Sequence, residues 1–266
     1  GLFEVINNPF VSVEEEHAIK VDNPLDSTRQ YIRTNLEKSL IENLIYNERR
    51  QQDSIKLFEI SDVYSIDSNL ETKKVLGIIC SGRVGKNYLD FSKKINIKFI
   101  RNLMKELSPE TNINPISIDR KNLNTKINNE IIYLELELNL FNGLSSDIIC
   151  KKKQHPNKHN FIKYSPVSEF PSSSTDLSFS IKNIDKYNEL QEYLLAYKSN
   201  LIREIFIFDF YNNKKNNEIK IGFRFVFQSY QATITDNEIN NIIEAIMAYT
   251  NSIEGVTIPG MSEENF

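Results

Sequence analysis

At 266 residues the chain is long enough for one large domain or two ordinary ones, and 40% hydrophobic against 26% charged residues excludes a disordered polymer. A formal charge of −4 does not advertise a nucleic-acid binder through bulk electrostatics, and no apolar run approaches the roughly 20 residues of a membrane span. The two cysteines, Cys80 and Cys150, have neither metal-ligand nor disulfide-framework spacing and read as ordinary buried thiols of a reducing compartment.

Residue 1 is glycine and "GLFEVINNPF" reads as a strand already under way, so we expect a portion of a longer chain without a secretory leader. "FEVINNPFVS" and "HAIKVDN" are predicted strands, stopped by Asn23-Pro24 because proline pushes its predecessor away from helix. A helix is predicted over 28–49. Asp26, Ser27 or Thr28 would cap it, and Ile32, Leu36, Leu40 and Leu44 would form its apolar face, widened by Ile41 and Ile45. "SIKLFEISDVYS" and "KKVLGIICSG" follow as an antiparallel hairpin. A second helix is predicted within 92–107, with Ile97, Ile100, Leu103, Met104 and Leu107 inward. "PISID" and "EIIYLELELNLF" are further strands. In the latter, Leu134, Leu136, Leu138 and Leu140 alternate against Glu135, Glu137 and Asn139, the pattern of one wet face.

The basic, proline-bearing stretch "CKKKQHPNKHNFIKYSP" is the expected boundary between a domain at 1–155 and another at 164–260. Beyond it the predicted order is strand 176–182, helix 185–198, strand 201–211, strand 219–228, helix 235–250 and a short strand at 255–258. That β-α-β-β-α-β order is the ferredoxin-like arrangement.

Several local patterns invite sharper readings. "GRVGKN" at 82–87 has two residues between its glycines where a phosphate loop needs four, so it reads as a polar loop. His155 and His159 flank Pro156, which breaks the helical spacing a shared metal would need. Lys151–Lys153 read as a wet loop, with contact to RNA phosphates as the functional alternative. Residues 164–266 carry 8 Lys and Arg against 14 Asp and Glu, so that half has little long-range pull on a phosphate chain. Any binding there must rest on stacking and hydrogen bonds to unpaired bases. Asp209 and Tyr211, in "IFIFDFYNN", read from the residues alone as a strand-end cap and a rim aromatic.

The spaced motifs change that reading. "NPL" at 23–25, Arg33 and Leu36, Asn47 and Arg49, then "LFEISDVY" at 57–64 resemble, in this order, the beta subunit of bacterial-type phenylalanine–tRNA ligases. Ser61 stands where that family usually has glycine. The later "EFPSSSTDLSF", "FDFY", "FRFVFQ" and "TITDNEI" resemble the ferredoxin-fold domain that ends this subunit, and the likeness covers nearly the whole chain.

The resemblance implies an α+β chain: a class II synthetase-like antiparallel sheet with helices, then a ferredoxin-like anticodon-binding domain. It implies ATP-dependent attachment of phenylalanine to its tRNA by an alpha2-beta2 cytoplasmic enzyme. ATP and magnesium would serve the whole enzyme and the alpha subunit would carry the chemistry. No catalytic residue, metal ligand or cofactor is expected in this region, since Glu59 has no arginine beside it and no Gly-rich GxGxGxxR segment exists among the eight glycines. The implied anticodon contacts are Asp209, Tyr211, Lys220 and Ser173. Arg33, Leu36, Leu40 and Asn47 are expected on a helix that is core or subunit interface. Thr175 stands in place of the family's usual arginine and Lys220 in place of its serine. The alternative is a free-standing RNA-binding or scaffolding protein derived from that subunit.

Overall fold

The structure, a computed structural model, describes residues 1–259 apart from 13, 108–112, 122, 124, 126, 142–165, 184 and 214–215. The expected boundary stretch at 150–166 therefore lies, up to residue 165, outside the described residues, and with it Cys150, Lys151–Lys153, His155 and His159. By its contacts the chain forms two compact units: Gly1–Arg83 with Lys94–Ile162, and Val84–Lys93 with Lys163–Phe266.

In the first unit β1 (Phe3–Glu4), β2 (Phe10–Val11), β3 (Ile19–Lys20) and β4 (Tyr31–Ile32) precede helix α1 (Glu37–Glu48). The hairpin of β5 (Ser54–Ile66) and β6 (Leu70–Gly82) follows, then α2 (Ile97–Leu107), β7 (Ile116–Ile118) and β8 (Ile131–Glu137). Five strands form one sheet in the order β1-β5-β6-β8-β7, antiparallel except for the β1–β5 pair. β2, β4 and β3 form a small antiparallel sheet of their own.

The helix predicted over 28–49 is shorter than its apolar spacing suggested. Residues 30–33 are extended because their backbone is already engaged: the Gln30 carbonyl accepts from Val21, the Arg33 N–H donates to Pro9, and the Arg33 carbonyl accepts from Tyr64. Asp26 accepts from both the backbone and the hydroxyl of Thr28, making a local turn rather than a cap, and Ile32 lies half-buried in β4. α1 starts at Glu37 with Leu36 as its N-cap and no side-chain bond from that residue. Its free N–H groups are met from elsewhere: Asn35 accepts from Glu37 at 3.0 Å, and Glu135, from β8, accepts from Leu36 at 2.8 Å. A carboxylate at the positive end of a helix is favourable by dipole as well as by hydrogen bond.

Leu36, Leu40 and Leu44 then bury completely against Ile55, Leu57, Val75, Ile79, Ile131 and Tyr133. The close approach is permitted by Gly77, where a Cβ would sit 2.9 Å from a Leu40 methyl and 3.0 Å from one of Leu36. On the opposite face of the sheet Ile78, Cys80, Ile132 and Leu134 are also buried, as are Ile100 and Met104 of α2. The side chain of Leu107 lies outside the described residues. The single wet face expected for 130–141 is thus corrected: Ile131–Leu134 are buried throughout, the strand ends at Glu137, and Leu138–Phe141 turn as a 3-10 helix. Glu135 is half-buried and accepts from Tyr133 and Leu36, and burial together with Glu135 pushes the Tyr133 phenol far up. Cys80 is a buried thiol, pushed up to about 12 by burial.

The second unit contains β9 (Ser173–Ile181), α3 (Asp185–Ala196), β10 (Ile202–Asn213), β11 (Glu218–Phe227), α4 (Asp236–Asn251) and β12 (Val256–Thr257). The strands lie in the order β10-β11-β9-β12, all antiparallel, which is the ferredoxin-like arrangement the element order predicted. Leu177, Phe179 and Ile181 of β9 and Ile219, Ile221, Phe223, Phe225 and Phe227 of β11 alternate onto one face. There they meet Leu190 and Leu194 of α3 and Ile239, Ile243, Ile246 and Met247 of α4. "TITDNEI" is the start of α4: Thr235 accepts from the Glu238 N–H, and Glu238 reaches back to the Thr235 N–H.

Candidate nucleic-acid interface

With both helices on one face of the second sheet, the other face carries the residues of opposite parity. On β11 these are Lys220, Gly222 and Arg224, and on β9 their partners Ser180, Ser178 and Asp176. β10 contributes through an irregular register. Phe206 pairs with Arg224 and Ile207 with Phe223, but the next pair is Asp209 with Gly222, leaving Phe208 as the extra residue of a β-bulge. Beyond the bulge Phe210 pairs with Ile221 and packs on the core, while Asp209 and Tyr211 share the open face with Gly222 and Lys220.

The structure therefore brings together three of the four residues expected to contact an anticodon. Tyr211 lies directly across from Lys220, and Asp209 one open-face position along, beside Gly222. Tyr211 is 57% exposed, and Asp209 and Lys220 are also exposed. Ser173 is not with them. It opens β9 opposite Phe227, whereas Lys220 lies opposite Ser180, seven residues further along that strand. Thr175 faces Phe225 and so belongs to the helix-covered row rather than to the open face.

Residues that the sequence reading did not single out complete the face. Asp176 is held bidentate by Arg224, with Nε and one terminal nitrogen each at 2.7 Å from its two oxygens. The Arg224 guanidinium lies 4.7 Å from the ring centre of Phe91 and 5.6 Å from that of Phe208. Phe91 comes from Val84–Lys93, a stretch that begins within the "GRVGKN" loop at 82–87. In the same stretch Tyr88 stands 5.4 Å from the Phe210 ring, and Lys86 pairs with Glu204 at 2.6 Å. Tyr187 of α3 also meets Phe210, and burial, with Tyr88 nearby, pushes its phenol up. The available clue was the step in "IFIFDFY", where the apolar parity changes from Ile205 and Ile207 to Phe210.

Chemically, the open face offers an acceptor-only carboxylate, an exposed phenol ring and an ammonium on neighbouring positions. A carboxylate accepts from the N–H groups of a base edge and repels phosphate, and an aromatic ring stacks on any base. Such groups can engage an unpaired nucleotide better than a duplex backbone.

Of the expected core-or-interface residues in the first unit, Arg33, Leu36 and Leu40 are buried and Asn47 is half-buried. Arg33 is 2% exposed and its guanidinium donates to Glu59, itself 1% exposed, at 2.9 Å and to the Ser61 hydroxyl. Glu59 also accepts from the backbone and side chain of Asn7 at 3.3 and 2.7 Å. Leu36 and Leu40 are core. Asn47 donates to the Asn43 carbonyl at 2.8 Å, and its own carbonyl accepts from Arg50 and Gln52 at the end of α1. The outer side of α1 shows Tyr46, 56% exposed, with Arg50 stacked 3.4 Å from its ring centre. Among the described residues no His, Cys, Asp and Glu group offers a metal ion three ligands.

Residues 1–137 match the family model described as the phenylalanyl tRNA synthetase beta chain CLM domain, and residues 168–258 match that of the ferredoxin-fold anticodon binding domain. The chain is 31% identical to the phenylalanine–tRNA ligase beta subunit of Mycoplasma mycoides over 254 residues, 86% of this chain and 32% of the relative. It is 24% identical to that of Buchnera aphidicola subsp. Schizaphis graminum, over 90% of this chain and 34% of the relative. It is 28% identical to the chloroplastic one of Porphyra purpurea, over 91% and 37%. The chain thus spans about a third of the length of the curated relatives it matches.

Proposed function

The chain belongs to the phenylalanyl-tRNA synthetase beta-chain family, and from that premise we propose that it is the C-terminal, non-catalytic part of a bacterial-type phenylalanine–tRNA ligase beta subunit. In this reading the second unit reads the anticodon loop of the tRNA for phenylalanine. The first unit, which carries most of the domain expected at 1–155, is a class II synthetase-like sheet serving assembly with an alpha subunit into an alpha2-beta2 enzyme of the cytoplasm. The single observation that carries the reading is the open sheet face on which Asp209, Tyr211 and Lys220 stand together. Ser173, on its distance along β9, would have to meet a different nucleotide.

The chemistry is assigned to alpha, with ATP and magnesium bound there. The residues of the first unit do not fit that role. Glu59, the acid that an ATP-clamping arginine would have to accompany, is engaged by Arg33 and Asn7 and nearly inaccessible. Among the described residues the arginine beside it, Arg33, is engaged with Glu59, Ser61 and the Asp62 carbonyl and so is not placed to clamp a phosphate there. The purified chain without alpha is therefore expected to give no phenylalanine-dependent exchange of pyrophosphate into ATP. Exchange above background by the chain alone would refute the non-catalytic assignment.

The anticodon role is tested at Asp209 and Tyr211. Losing a carboxylate hydrogen bond to a base costs about 1.5–3 kcal/mol, and losing a stacking ring about 1–3 kcal/mol. Asp209→Ala and Tyr211→Ala are expected to weaken tRNA binding accordingly, read by filter binding or by the KM for tRNA. Phenylalanine activation by the assembled enzyme should hardly change. Unchanged tRNA binding, with a lowered melting temperature for Asp209→Ala, would make the acid a strand cap.

A further inference from the structure

We propose that the bulge at Phe208, given room by Gly222 and backed by Phe91, is the device that turns Asp209 and Tyr211 toward an unpaired base. The proposal rests on the anticodon-reading role given above to those two residues. In a regular strand Ile205, Ile207, Asp209 and Tyr211 would all share one face, since side chains alternate. That face is the helix-covered one, because Ile205 and Ile207 pack on the core. Without the extra residue the acid would point into an apolar interior, where an unpaired carboxylate is costly. One inserted residue reverses the parity from Asp209 onward and puts the acid and the phenol on the open face.

The inserted side chain has to go somewhere, and it lies over Gly222. A Cβ at that position would sit 2.7 and 2.8 Å from the Phe208 ring and 3.2 Å from the Asp209 Cβ. Only Gly82 and Gly255 among the described glycines have a positive φ, so position 222 needs glycine for space rather than for backbone conformation. The ring cannot easily retreat. Phe91 stands 5.3 Å away centre to centre, buried to 6% exposure, and Arg224 lies over both rings while clamped to Asp176. Phe208, Gly222 and Phe91 are therefore positioning residues. They touch no base themselves but fix where Asp209 and Tyr211 stand.

The test uses the full chain and a short RNA hairpin carrying the anticodon loop of a phenylalanine tRNA, with guanine or adenine as its first anticodon base. Gly222→Ala is expected to weaken binding of the guanine hairpin about tenfold or more, near the loss for Asp209→Ala, and to shrink the preference over adenine. Amide exchange at 209–213 should accelerate while 177–181 stay protected. Phe91→Leu, which keeps an apolar side chain but removes the ring from Arg224, should move both readouts the same way by a smaller factor. It decides the matter if Gly222→Ala fails to fold. Parent-like binding and exchange in these variants, alongside a real loss for Asp209→Ala, would overturn the bulge as a positioning device. Parent-like binding by Asp209→Ala would instead overturn the base-reading role, and with it the purpose assigned to the bulge.

Discussion

Replacing Arg33 with alanine is expected to lower the unfolding free energy by about 3–5 kcal/mol, because it strands a buried carboxylate rather than merely deleting a contact. Arg33 and Glu59 are 2% and 1% exposed, and the guanidinium also donates to Ser61 and, at 3.4 Å, to the Asp62 carbonyl. Without it Glu59 keeps only the two bonds from Asn7. The pair as a whole can contribute little, since desolvation offsets attraction. The double variant Arg33→Met with Glu59→Leu is therefore expected to be much milder than Arg33→Ala alone. Urea titration of the three chains checks this. A single-variant loss below about 1 kcal/mol would mean that water reaches the pair. Ser61 fits the same picture: where relatives are expected to carry glycine, its hydroxyl takes one of the guanidinium N–H groups.

Leu40→Ala is expected to cost about 2–5 kcal/mol, toward the upper end of that range. Leu40 is completely buried, and the helix sits so close to β6 at Gly77 that the sheet cannot move inward to fill the space its side chain would leave. Denaturant titration reads the loss. A value under about 1 kcal/mol would place the leucine stripe at a surface instead.

The second unit was legible almost strand by strand. Leu177, Phe179 and Ile181 and then Ile219 through Phe227 alternate without interruption, and Thr235 with Glu238 announces the last helix. Such patterns are local, and the fold agrees with them. The start of α1 was not legible. Ile32, Leu36, Leu40 and Leu44 have helical spacing, yet Ile32 belongs to a strand whose partners come from elsewhere in the chain, at Phe10 and Ile19. β8 misled for a related reason: its glutamates look solvent-facing until Glu135 is seen to serve the end of a helix. At the candidate interface Asp209, Tyr211 and Lys220 were found through motif likeness. Phe91, more than a hundred positions upstream, left no signal that could tie it to Phe208.

The carboxylate that accepts from the first turn of α1 lies 99 positions downstream of Leu36. On a ribosome adding about 5–20 residues per second, that helix emerges some 5–20 s before the group that finishes its start exists. Until then its leucine stripe also lacks Ile131 and Tyr133, two of the surfaces that cover it. The nascent chain must pass through an interval in which this helix is formed in part and its leucine stripe covered in part, and in which a holdase has something to grip.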